Sequence, residues 1–127
     1  MNEIYITVVI VSYKSAKLAI DSLHSVHAER DMDGLKIQAV LVDNASGDAP
    51  EIEAAVLSHN WSDWVTVLTA PRNGGFAYGN NLAFQYVLAH GKVDFFHLLN
   101  PDAQLRSGAI VELVNFLKSR PDVGIAG

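Results

Sequence analysis

The stretch from Ile4 to Val11 reads Ile-Tyr-Ile-Thr-Val-Val-Ile-Val, nearly all of it apolar or β-branched. A strand of that composition has no polar face to turn toward water, so it must be covered on both sides. Only a sheet sandwiched between helices does this, and such sheets are mainly parallel because each strand returns through a helical crossover. Ile37 to Val42 repeats the pattern, and Trp64 to Leu68, Phe95 to Leu99 and Val123 to Ala126 are shorter candidates. Five strands are expected on this reading.

Helical periodicity fills the intervals. Ala16, Ala19, Ile20, Leu23, Val26 and His27 make one stripe behind a capping Ser15. Pro50 suits the first turn of a helix running to about Ser58, with Ile52, Ala55 and Val56 facing inward. Ala83, Tyr86 and Val87 mark a third helix that ends near His90-Gly91. Ile110, Leu113, Val114 and Leu117 mark a fourth that starts at Ser107 or a neighbour. Strand alternates with helix throughout, which predicts an α/β three-layer sandwich with right-handed crossovers. No linker or repeat divides the 127 residues, so residues 1–127 are read as one domain.

Composition removes several function classes. A net charge of −5 without long charged blocks gives no electrostatic footprint for nucleic acid. With no cysteine there are no disulfides, zinc-thiolate sites or cysteine nucleophiles. No run approaches the roughly 20 apolar residues of a membrane span, and the N-terminus lacks the basic flank of a signal peptide. His24, His27, His59 and His90 show no metal-ligand spacing, His97 reads as a core histidine, and Trp61 and Trp64 read as packing residues. An acidic protein that holds an anionic substrate needs local help from a cation, helix N-termini or placed basic residues such as Lys14, Lys17 and Arg72.

Parallel sheets bind ligands beyond the carboxyl ends of their strands. In this chain those ends are polar: Ser12-Tyr13-Lys14, Asp43-Asn44-Ala45-Ser46, Arg72-Asn73-Gly74-Gly75 and Asn100-Pro101-Asp102. The glycine loop matches neither the dinucleotide nor the P-loop pattern, although its backbone can approach a ligand closely and Asn73, Asn80 and Asn81 supply amides. Each segment has a plainer reading. Tyr13 can stack on a base or merely cover the sheet end, Asp43 can accept from an imide N–H or cap the next turn, and Asn-Pro-Asp can be a site or only a turn.

Four motifs in order, Val9-Ile10-Val11-Ser12-Tyr13, Val42-Asp43-Asn44-Ala45-Ser46, Asn73-Gly74-Gly75-Phe76-Ala77-Tyr78-Gly79-Asn80-Asn81 and Leu99-Asn100-Pro101-Asp102, resemble glycosyltransferase family 2, with its Rossmann-like GT-A fold. The third and fourth look most like the rhamnosyltransferase branch. The resemblance implies that Ser12, Tyr13, Asp43 and Asn44 surround the base and ribose of a dTDP- or UDP-sugar. Asn73, Gly75, Phe76, Asn80 and Asn100 would line the rest of the nucleotide-sugar site. Asp102, standing in the family's Asp-x-Asp position, would hold Mg²⁺ or Mn²⁺ against the diphosphate, while Asn100 departs from that pattern and removes one negative charge.

The same resemblance implies an inverting transfer, with dTDP-L-rhamnose as donor and a glycan or lipid-linked acceptor. It also implies a cytoplasmic location, peripheral to the membrane in a full-length protein, and a role in cell-envelope polysaccharide synthesis. Nothing in these residues fills the role of catalytic base; Asp122 reads as a turn residue. The chain is therefore expected to be the donor-binding part of a truncated GT-A domain, with the base downstream of Gly127 and the acceptor half missing. Two other classes fit the same pattern less well: a non-catalytic nucleotide-binding or interaction module, and a response-regulator-like domain, for which the acidic pocket and partner lysine are not evident.

Overall fold

The computed structural model describes residues 3–30 and 34–127. Its elements run β1 (Ile4–Ser12), α1 (Ala16–Glu29), β2 (Leu35–Asp43), α2 (Ala49–Ser58), β3 (Val65–Thr69), α3 (Phe76–His90), β4 (Phe95–Leu98) and α4 (Ala109–Ser119). The four strands form one sheet in the order β3-β2-β1-β4, every pair parallel. The two continuous apolar runs occupy the central positions, where burial on both faces is available.

Successive residues of β1 feed opposite cores, as strand geometry requires. Ile6, Val8 and Ile10 join Ala19 and Leu23 of α1, Ile52 and Val56 of α2, and Ile110 and Val114 of α4. Val9 and Val11 join Val40, Val42, Ala83 and Val87, the last two from α3. Three helices thus cover one face and α3 covers the other. That division follows from the strand order: two crossovers step outward to β2 and β3, the next returns across β1 to β4, and a crossover of constant hand then crosses the opposite face. Gly79 lets α3 settle on β1, since a Cβ there would lie 2.6 Å from Val11 Cγ1. Trp61 and Trp64 are buried packing residues.

Several expectations change. Ser15 stands at the N-cap of α1 but makes no capping bond with its side chain, whose hydroxyl donates instead to Tyr13 O at 3.1 Å. Val123–Ala126 forms no strand and Ile125 is 91% exposed; the tail 123–127 carries Gly124 and Gly127, and too few buried apolar contacts remain to offset the entropy of ordering it. His27 lies outside the buried stripe of α1, whereas Ser22 and Glu29 lie within it. His97 sits half-buried on the edge strand β4, and burial lowers its pKa below the usual imidazole value.

Candidate functional site

The strand order reverses between β1 and β4, and such a switch point is where ligands of doubly wound sheets commonly bind. Ser12, Asp43 and Thr69 stand level on three adjacent strands. The Asn44 N–H donates to Ser12 O at 2.8 Å and the Ala70 N–H to Asp43 O at 2.9 Å, so the turns leave the sheet from a common edge. Backbone strain gathers there as well, with Lys14 at φ 55° and Ala45 at φ 66° in the left-handed region.

Asp43 is fully buried and both of its oxygens accept. Oδ1 takes the N–H of Ser46 at 3.2 Å and its hydroxyl at 2.5 Å; Oδ2 takes the N–H groups of Asp48 at 3.0 Å and Ala49 at 3.1 Å. Asp48, the N-cap of α2, makes no capping bond with its own side chain. Asp43 therefore satisfies amides that the start of α2 leaves open, and its charge sits favourably at the positive end of that helix.

The glycine loop is tied to the same edge. Asn44 Nδ2 donates to Gly75 O at 3.0 Å, and Asn73 Oδ1 accepts the Gly75 N–H at 3.1 Å. Gly75, at φ 94° and ψ −178°, occupies a region open essentially to glycine alone, and it turns the chain directly into α3. One turn on, Asn80 Nδ2 donates to Phe76 O at 3.1 Å. Ser12 Oγ, Asn44 Oδ1 and Asn80 Oδ1 are buried without a partner, a condition that costs about 1–3 kcal/mol for each group left unmet. Asn44 and Asn80 thus each keep an unmet acceptor oxygen just beneath this edge, and Ser12 a hydroxyl that can donate or accept. Tyr13 and Phe76 stand 44% and 52% exposed at the rim, with Lys14 Nζ 5.3 Å from the Tyr13 ring centroid.

Asn100 to Ala103 is a β-turn closed by the Ala103 N–H on Asn100 O at 3.0 Å, with Pro101 in its favoured second position. Asn100 and Asp102 are exposed. Among the described residues no group of three His, Asp or Glu could hold a metal. Mg²⁺ and Mn²⁺, however, are commonly held by one or two carboxylates with substrate phosphates and water completing the shell. An exposed carboxylate at the rim fits that donor set, and the buried, engaged Asp43 does not. Of the basic candidates, Lys14 and Lys17 are exposed, while Arg72 lies over the Tyr78 ring at 4.6 Å.

The sequence matches the model of the family described as Glycosyl transferase family 2 over residues 7–127. The chain belongs to that family. A mannosyltransferase from Pyrobaculum calidifontis, PcManGT, solved with GDP-Man and Mn²⁺, is similar at 22% identity and TM-score 0.72 over 88% of this chain and 32% of its own. S. aureus TarS 1-349 is similar at 18% identity and TM-score 0.72 over 93% of this chain and 33% of its own. The same fragment solved with UDP-GlcNAc gives 17% identity and TM-score 0.72. The chain spans about a third of the length of these structures. Nothing among curated proteins matches. The α/β sandwich is thus the GT-A, Rossmann-like fold of a family 2 domain.

Within this family 2 domain, Ser12, Asp43 and Asn44 stand at one edge, Asn44 ties it to Gly75, and Asn80 lies one turn into α3, bonded to Phe76; Tyr13, Asn73 and Phe76 lie on the same turns. Asn100 and Asp102 lie on the turn beyond β4, across the switch point. No helix among the described residues is long and apolar enough to cross a membrane. The sequence motifs do not include Ser22, Ser25 and Glu29 on α1, whose side chains bond the backbone on both sides of Asp102, at Pro101, Leu105 and Gly108. The available signal was their spacing of three and four residues beside Leu23 and Val26, which puts them on the inward face.

Proposed function

We propose that this domain binds the donor of an inverting nucleotide-sugar glycosyltransferase, with dTDP-L-rhamnose or a related dTDP- or UDP-sugar as donor and a glycan or lipid-linked acceptor. The observation that carries the reading is the set of unpartnered buried atoms, Ser12 Oγ, Asn44 Oδ1 and Asn80 Oδ1, at the carboxyl edge of a family 2 sheet. Two of these are obligate acceptors. They suit the hydroxyl and N–H donors of a ribose, base or sugar, and they do not suit phosphate oxygens, which only accept. PcManGT with GDP-Man and Mn²⁺ and TarS with UDP-GlcNAc support the ligand class.

In the proposed complex Tyr13 stacks on the base, and Asn44 and Asn80 accept from the nucleoside and sugar. Gly75, lacking a Cβ, lets the loop backbone come close to the donor. Asp102 would hold Mg²⁺ or Mn²⁺, and Asn100 would supply a neutral oxygen or a ribose contact. The cation, when bound, neutralises charge on the departing diphosphate. The acceptor hydroxyl needs a base, and we assign none to the residues described here.

One observation favours a second reading, a non-catalytic module of the same fold: both oxygens of Asp43 are engaged within the chain, Oδ1 by Ser46 and Oδ2 by the start of α2. Calorimetry with dTDP, UDP, GDP and their sugars, with and without Mn²⁺, separates the two. Binding strengthened by Mn²⁺, and tighter for dTDP-rhamnose than for dTDP-glucose, supports the donor site; failure of every nucleotide to bind sinks it.

A further inference from the structure

The β-turn that carries Asp102 is held from below by a helix at the other end of the sequence. Ser22 Oγ lies 2.8 Å from Pro101 O and also contacts Ala103 O, the two carbonyls that flank Asp102, so its single proton is shared between them. Ser25 Oγ accepts the Leu105 N–H at 2.9 Å and donates to Ser22 O at 2.7 Å. The Glu29 carboxylate accepts the N–H groups of Gly108 at 3.1 Å and Ile110 at 3.4 Å, at the start of α4. Ser22 and Glu29 are buried, at 0% and 2% exposure, on a helix face that is otherwise apolar.

A buried carboxylate is costly unless its hydrogen bonds and a favourable field compensate. At Glu29 the compensation comes from the amides and positive end of α4, whose own N-cap is the side-chain-free Gly108. The three α1 residues together fix backbone at 101, 103, 105, 108 and 110, while the Asp102 side chain stays exposed. Packing of the α4 face alone would not need ties to the segment between β4 and α4. Such ties matter where a side chain in that segment must hold its place.

We propose that Ser22, Ser25 and Glu29 are positioning residues for Asp102, fixing its turn so that the carboxylate meets a divalent cation on a bound diphosphate without first being ordered. This rests on the assignment of Asp102 to the metal made above. Pre-ordering lowers the cost of binding. Its loss appears in the metal-dependent part of affinity and not in the nucleoside contacts across the crevice.

The test uses the whole chain and compares wild type with Ser22→Ala, Ser25→Ala, Glu29→Gln, Asp102→Ala and the Ser22→Ala/Asp102→Ala double variant. Titration with dTDP, with and without Mn²⁺, is paired with amide ¹⁵N relaxation at Asp102 in the free protein. Ser22→Ala is expected to weaken Mn²⁺-dependent binding about three- to tenfold, the worth of one hydrogen bond, while metal-free dTDP binding changes by less than twofold. That loss should vanish in the Asp102→Ala background, and Asp102 should show greater amplitude of fast motion. Ser25→Ala and Glu29→Gln should act in the same direction, and Glu29→Gln keeps the shape of the side chain should a smaller residue fail to fold. The inference is overturned if Asp102 relaxation is unchanged by Ser22→Ala, or if the loss of affinity is equal with and without metal or persists without Asp102. If wild type shows no Mn²⁺-dependent binding, the metal assignment fails, the role proposed for the three residues falls with it, and relaxation reports only whether they order the turn.

Discussion

Replacing Asp43 by Asn tests whether this carboxylate is first a structural cap. The substitution keeps shape but removes the charge and turns one acceptor into an NH₂ group. In the less costly orientation the NH₂ faces Ser46, whose hydroxyl can rotate to accept, and the remaining oxygen keeps the Asp48 and Ala49 N–H groups. The Ser46 N–H then loses its partner, at about 1–3 kcal/mol, and the start of α2 loses a favourable charge worth about 0.3–1 kcal/mol. The sum is about 1.5–4 kcal/mol, a large share of the roughly 5–15 kcal/mol of a typical domain. Urea unfolding followed through the buried Trp61 and Trp64 reads it. With a slope of about 1–3 kcal/mol per molar, the midpoint should fall by roughly 0.5–4 M at unchanged slope. Asp43→Ala, which leaves all four donors unmet, should fall further. A midpoint within about 0.2 M of wild type for Asp43→Asn would refute the reasoning, since an unmet buried N–H and a lost helix-end charge cannot together be worth so little.

Asn80→Ala removes an unsatisfied buried oxygen and adds a better helix former, so stability should hold or rise by up to about 1 kcal/mol. Nucleotide affinity should nevertheless fall several-fold; urea unfolding and calorimetry on the same variant check both halves. For His97, burial depresses the folded-state pKa, so the unfolded chain takes up a proton first as pH falls. Its contribution to stability is therefore full above the ordinary imidazole value near 6.5 and is lost as pH drops from there through the folded-state value. His97→Gln should flatten that limb of the stability curve, measured by urea midpoints between pH 5 and 8.

Much of the fold was legible because Ile4–Val11 and Ala39–Val42 are almost wholly apolar, and such strand segments have one way to be buried. Strand ends were legible for the same reason: polarity begins abruptly at Ser12, Asp43 and Asn100. The failures have physical causes. Val123–Ala126 has strand-like residues, but a strand exists only where a ladder and buried contacts hold it. The spacing of Ser22, Ser25 and Glu29 puts them on the inward face of α1, but their partners are backbone groups some 80 positions away in sequence, and backbone leaves no signature in composition. Asn100-Pro101-Asp102 was posed as either a turn or a site. The geometry is a turn, with Pro101 second and Asp102 third, and that turn is what presents Asp102 at the rim. The two asparagines with unmet oxygens could be named from sequence, but their unmet state depends on Gly75 O and Phe76 O taking only their amide hydrogens.

The central claim is that this family 2 domain holds a nucleoside diphosphate through a cation on Asp102. Mn²⁺ electron paramagnetic resonance tests it most directly, because the signal of the free hydrated ion falls as the ion is bound. With dTDP at a fixed concentration, adding wild-type protein should remove that signal beyond what dTDP alone removes, and Asp102→Ala should not. Equal loss of signal with wild type and Asp102→Ala, or no loss beyond dTDP alone, would contradict the account.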